Sequence, residues 1–175
     1  MTSSTDKNLK DLYELIDGIA TAMFTTRRPD GQLVSRPMAT QTQAEGTDLW
    51  FVTDVESHKL DELESDPHVN LAYFRDRTKE WVSVSGIALV SQDRKAIKEL
   101  YRPDWKIWFG DEGGARDGGP DDPRLALILV DVQSVTYLKQ DKPRPVVLFE
   151  LVKAFVTGKR PDLGEVRQVD EAELP

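Results

Sequence analysis

The chain has 175 residues and a formal charge of −8, with no cysteine. That length is enough for one domain with a buried core, expected to span residues 1–175 with a core from about 8 to 170. The acidic balance excludes nucleic acid or an anionic membrane as the main partner, and the missing thiols exclude disulfides, thiolate catalysis and zinc–thiolate sites.

The opening residues MTSSTDKNLKDL lack the continuous apolar segment of a secretory signal. No apolar run approaches the roughly 20 residues that span a bilayer, so a soluble cytoplasmic protein is expected. Leu9, Leu12, Ile16 and Ile19 then recur at three- and four-residue spacing and predict an amphipathic helix. AMFTTRR and QLVSRPMATQ flank Pro29-Asp30-Gly31 and read as a hairpin. A second turn is expected at Ala44-Glu45-Gly46, before the strand DLWFVTD.

A short acidic helix is predicted over 57–65, followed by the strands HVNLAYFRD and EWVSVSGIALVS. In the second of these, Trp81, Ser83 and Ser85 alternate with Val82 and Val84. DRKAIKELYRPDWKIWF has a helical pattern interrupted by Pro103, and GDEGGARDGGPDDP reads as a flexible surface loop. RLALILVDVQSVTYL is β-branched enough to be one long central strand. Its apolar surface exceeds what one small core needs, which points to a second copy. PVVLFELVKAFVTG predicts an apolar helix ended by Gly158, EVRQVD a final short strand, and EAELP a frayed tail. Together these predict a mainly β (α+β) fold: a six-stranded antiparallel barrel with peripheral helices.

Few residues carry obvious chemistry. The Gly-rich loop lacks the Lys-Ser/Thr ending of a phosphate loop. Its carboxylates, Asp111, Glu112, Asp117, Asp121 and Asp122, match no calcium-loop spacing. His58 and His68 have no i,i+4 partner or thiol beside them, and structural roles fit them better than metal ligation; no metal site is predicted. Trp105, Trp108 and Phe109 suit either a core or the wall of an aromatic ligand site. Arg36 lies mid-strand before Pro37, a mark of an edge strand or bulge. Ser57-His58-Lys59 stand where a strand hands over to a helix. Two readings fit: a helix cap with a solvated lysine, or, with Arg36, a seat for a phosphate monoester.

The segments SRPMATQ (35–41), LWFVTDVESHKLDELESDPHVNLAYF (49–74) and WVSVSGIALV (81–90) resemble the pyridoxamine 5′-phosphate oxidase-like split barrels. WF with GGPDDPRLALILVDV, and VTGKRPDLG, resemble the general stress protein 26 group within them. The resemblance implies a homodimeric split barrel with FMN at the interface. Arg36 and Lys59 would hold the phosphate, with Ser57 and His58 adding hydroxyl and backbone donors. Met38 would lie along the flavin by its backbone, and Thr53 would bond the ring. Gln41 stands where the true oxidase has a lysine, so the group meeting the flavin there is neutral. The oxidase's basic C-terminal signature is also absent, so vitamin B6 phosphate oxidation is not expected. The implied function is a flavin-dependent oxidoreductase of unnamed substrate, with the catalytic residues unassigned. The alternative is a non-catalytic flavin-binding or flavin-buffering stress protein. A third class is a barrel holding another phosphorylated or tetrapyrrole ligand.

Overall fold

The computed structural model describes residues 4–42, 48–140, 144–159 and 166–170. After the helix α1 (Ser4–Ile19) come strands β1 (Thr21–Arg27), β2 (Leu33–Ala39) and β3 (Leu49–Asp54), the helix α2 (Lys59–Ser65), and strands β4 (His68–Arg75) and β5 (Glu80–Ser91). Helix α3 (Arg94–Leu100), a 3₁₀ turn (Pro103–Trp105) and α4 (Lys106–Phe109) lead to β6 (Leu125–Leu138), α5 (Arg144–Thr157) and β7 (Val166–Asp170). The turn expected at 44–46 and the tail 171–175 lie outside the described residues.

All the strand pairs are antiparallel, in the order β2-β1-β4-β5-β6-β3, with β7 added on β6. The sheet curls into a six-stranded half-barrel whose terminal strands, β2 and β3, face each other without forming a ladder. Period-two alternation decides what fills the interior. Ala22, Phe24 and Met38 enter from β1 and β2, Leu49 and Phe51 from β3, and Leu71, Tyr73, Val82 and Val84 from β4 and β5. Leu12, Leu15 and Ile16 of α1 close the core from one side. Each such aliphatic side chain contributes about 1.5–3 kcal/mol when fully buried. Helix α1 stops at Ala20, which takes a left-handed φ of 65° while its N–H caps Ile16 O at 2.8 Å.

Along β6, Ile128, Val130 and Val132 point inward, and then the phase changes to Val135 and Tyr137. Pairing with β5 explains the switch: Ser85 faces Ser134 while Gly86 faces Val132, which leaves Gln133 as the extra residue of a bulge. The outward residues of early β6, Leu125 and Leu127, are covered by Trp50, Ile97 and Trp105 in a second core beneath α3 and the 3₁₀ turn. The apolar surplus that the sequence reading assigned to a second copy is therefore buried within the chain at this strand. The predicted interruption at Pro103 is real and separates α3 from the 3₁₀ turn that delivers Trp105.

At the bulge the two backbones leave no room for a side chain. A β-carbon on Gly86 would meet Asp131 O at 2.5 Å and Val130 Cγ1 at 2.9 Å. Gly86→Ala is expected to cost about 1–3 kcal/mol, as overpacking does, and to lower the thermal midpoint by roughly 3–10 °C. An unchanged midpoint would mean that the β5–β6 contact is looser than described.

Candidate functional site

The unpaired edges of β2 and β3 produce a cleft. They touch at one end, where Gln41 N–H donates to Trp50 O at 3.0 Å, and then part. Pro37, which has no N–H, sits on the β2 edge and suits a strand with no further partner. The resulting cavity of about 300 Å³ is bounded by Met38 and Gln41, Thr53 and Asp54, Lys59, and the aromatic side chains Trp105, Trp108 and Phe109.

At the α2 end the structure places a cation in the cleft. Lys59 Nζ donates to Thr53 Oγ1 at 2.7 Å. Burial, and then the nearby Arg36 charge, push the ammonium pKa below its ordinary value, against the pull of Asp54 and Glu62. A desolvated ammonium with one neutral partner suits an anionic ligand. The solvated lysine of the capping reading is not found. No side-chain hydrogen bond caps α2, and Ser57 contributes its carbonyl, which accepts from Leu60 N–H at 2.9 Å.

The seven residues singled out in the sequence divide here. Met38, Gln41, Thr53 and Lys59 line the cleft. Met38 turns its side chain into the barrel core, so it meets the cleft through its backbone edge. Ser57 is half-buried at the turn before α2. His58 points its ring into solvent, 98% exposed, 3.7 Å from Asp61. Arg36 lies behind the cleft wall, where Nη2 donates to Glu62 Oε2 at 2.7 Å and Nη1 to Thr26 Oγ1 at 2.9 Å. The Thr26 hydroxyl in turn donates to the same carboxylate oxygen at 2.5 Å. Burial works to raise the Glu62 pKa, but Thr26 and Arg36 outweigh it and hold the carboxyl ionised. Sequence reading missed Glu62 because its helix looked like a solvated acidic face. The available signal was its place three residues after Lys59, which puts both on one side of α2.

The aromatic residues separate into the two roles between which the sequence left them. Trp105 is core, 2% exposed, edge-on to Trp50 at 6.0 Å and Tyr101 at 5.5 Å. Its indole Nε1–H donates to Gln41 Oε1 at 3.0 Å, and Gln41 Nε2 donates to Ala39 O at 3.2 Å, so the neutral amide is locked in one orientation. Trp108, 82% exposed, forms a lip of the cleft.

The loop after α4 is anchored by a buried ion pair, contrary to the free surface loop expected. Arg124 Nη2 meets Asp122 Oδ2 at 2.7 Å, and the guanidinium also donates to Phe109 O, Gly110 O and Arg116 O. Both side chains are essentially inaccessible to solvent. Arg116 then bridges Glu112 and Glu56, tying the loop to the turn that precedes α2. The remaining loop carboxylates are also engaged: Asp121 by Lys98, Asp111 by Gly113 N–H, and Asp117 by Gly119 N–H.

A half-barrel split between two strand edges, with an ammonium and aromatic side chains lining the split, defines a split-barrel protein with an open cleft. The chain belongs to the pyridoxamine 5′-phosphate oxidase like family, whose sequence model matches residues 7–162. It is 37% identical over 172 residues to Protein bli-3 of Neurospora crassa, across 97% of this chain and 82% of that one. Among solved structures, a candidate general stress protein 26 from Jannaschia sp. CCS1 superposes with a TM-score of 0.71 at 22% identity, covering 94% of this chain and 98% of that one. A pyridoxamine 5′-phosphate oxidase-related, FMN-binding protein from Nostoc punctiforme PCC 73102 gives 0.62 at 16% identity, covering 97% of each chain. At these identities the two structures establish the shared split-barrel fold. Among the described residues no helix is long and apolar enough to cross a membrane.

The loop anchor has a titration consequence. Hydrogen bonds from Arg124 hold the Asp122 pKa down at about 2 despite burial. A depressed carboxylate contributes stability above its unfolded pKa and loses it as pH falls through the folded one. Wild-type stability should therefore fall between about pH 4 and pH 2. Asp122→Asn should be less stable at pH 7, with a flatter decline over that window. Equal slopes for the two proteins in acid denaturation would remove Asp122 as the anchor.

Proposed function

We propose that the cleft binds FMN and that the protein is a flavin-dependent oxidoreductase of the general stress type. The observation that carries this reading is the desolvated Lys59 ammonium, bonded to Thr53, in a cavity of about 300 Å³ that Trp105, Trp108 and Phe109 also line. A phosphate at Lys59 and a planar ring between Trp108 and the Gln41–Thr53 edges match that distribution of charge and apolar surface. The Nostoc relative's description as FMN-binding supports the same ligand. When bound, the flavin supplies the redox chemistry; the chain's part is to hold the phosphate, orient the ring and shield one face from water. Gln41, held by Trp105, offers the ring a neutral group where the true oxidase has a cation, and this favours a substrate other than a vitamin B6 phosphate.

A second reading, flavin binding without turnover, is favoured by one feature: the cleft lining includes no histidine to move a proton near neutral pH. Reduction of the bound flavin by NADH or NADPH, followed by reoxidation by an acceptor, separates the two.

We also propose a homodimer. On the outer sheet face Met23 pairs with Ala72 and Ala72 with Ser83, while Phe74 pairs with Trp81. Met23 and Phe74 are exposed on this row of apolar and small side chains, and Phe149 and Phe155 are exposed on α5. Such surface suits a second copy of the chain. Light scattering is expected to give twice the 19.8 kDa of one chain at micromolar concentration. A monomer mass would refute the dimer.

Purified protein should bind FMN in preference to riboflavin. Lys59→Met removes one charge-assisted bond, about 1.5–3 kcal/mol, and should weaken FMN by roughly tenfold to a hundredfold. Riboflavin affinity and the thermal midpoint should change little, since the ammonium was already desolvated. Equal affinity of the wild type for the two flavins would overturn the phosphate assignment.

A further inference from the structure

We propose that Glu62 is a specificity-determining residue: its buried carboxylate sets the net charge of the anion end of the cleft, and with it the preference for a phosphorylated ligand. This rests on the reading of Lys59 as the phosphate contact.

Lys59 lines this end of the cleft, and Arg36 stands behind it, near enough for its charge to act on the Lys59 ammonium. Glu62, 8% exposed, gives one oxygen to both the Arg36 guanidinium and the Thr26 hydroxyl. Thr26, itself 1% exposed, accepts the other Arg36 contact, so the three side chains form a closed triangle. A guanidinium has five N–H donors, and the triangle uses two. The triangle therefore fixes the guanidinium and leaves donors available. The influence of Glu62 also reaches Lys59, whose ammonium is disfavoured by Arg36 and favoured by Glu62 and Asp54. Without the carboxylate, two desolvated cations would stand against each other. With it, the Arg36–Lys59–Glu62 group presents one net positive charge instead of two, and Asp54 on the cleft lining offsets more of it. A phosphate monoester carries about −1.5 to −2 at neutral pH, so the group is under-charged toward its ligand by design. Glu62 thus limits how tightly the phosphate is held while keeping Arg36 in place.

Glu62→Gln keeps the length and an acceptor for Arg36 and Thr26 while removing the charge. FMN affinity should rise by about tenfold or more, the effect of removing one unit charge about 10 Å from the phosphate at an effective protein dielectric of about 20. Riboflavin affinity should stay within about twofold, so the FMN-to-riboflavin preference rises by the same factor. Glu62→Met, a second neutral variant of similar length, should raise that preference in the same direction, and serves if the amide variant does not fold. The readouts are dissociation constants by flavin fluorescence, with thermal midpoints to establish folding. Wild-type protein that binds FMN and riboflavin equally would sink the phosphate reading itself. Wild type that prefers FMN, with neutral variants whose preference is unchanged or lower, would leave that reading standing and overturn the role of Glu62.

Discussion

The structure depends on β6 being buried on both faces along its first half and on one face along its second. From Leu125 to Ile128 every residue is buried, whereas beyond Val132 exposed and covered positions alternate. A strand covered on both faces needs two layers of neighbours. One is the barrel interior, and the other is the module of α3, the 3₁₀ turn and α4, which covers Leu125 and Leu127 with Ile97 and Trp105. That second layer brings Trp105 against Gln41 and Trp108 to the lip of the cleft. The aromatic end of the site is thus a by-product of satisfying a strand. The bulge at Gln133 follows from the same demand, because it lets one strand change inward phase between the two regimes.

The cleft has a different origin. Closing the barrel would have paired β2 with β3, and the backbone bond from Gln41 to Trp50 shows where that closure begins. Pro37 on the β2 edge offers no donor for a ladder beyond that point. The chain leaves two strand edges open and places α2 and the aromatic lip beside them. Open edges with backbone donors and acceptors are a hazard on a free surface and an asset in a ligand cleft.

Much of this was legible in the sequence, for physical reasons that differ by element. The hairpin around Pro29-Asp30-Gly31, the alternation along β5 and the length of β6 are local patterns, and local patterns survive folding. The place of Lys59 was legible because an apolar strand ends at Asp54 and an acidic helical pattern begins soon after it. Glu62, Asp122 and Arg124 were not legible, because a charged residue at a helical or loop position is solvated in most proteins. Their burial here depends on partners 26 residues away for Glu62 and on backbone carbonyls of Phe109 and Gly110 for Arg124. Single-sequence reading has no term for either. Trp105 and Trp108 were ambiguous for a related reason: three residues apart, they belong to one helical pattern that breaks between them, so one is core and the other lip.

A chain with a net charge of −8 opposes the approach of any anion, so a phosphate site on it must be local and shielded. Buried Arg124 and partly exposed Arg36 differ in how fully they are satisfied. Arg124 is fully consumed by Asp122 and four loop carbonyls and side chains, and serves as an anchor. Arg36 is consumed only in part, held at two of its donors by Thr26 and Glu62. Removing one partner of a buried pair leaves the other charge uncompensated, which destabilises strongly when the survivor is as enclosed as Arg124. At Arg36, 23% exposed, the same removal leaves a charge that solvent can partly screen. The degree to which each guanidinium is satisfied, more than its burial alone, separates the arginine that anchors a loop from the one held at only two of its donors.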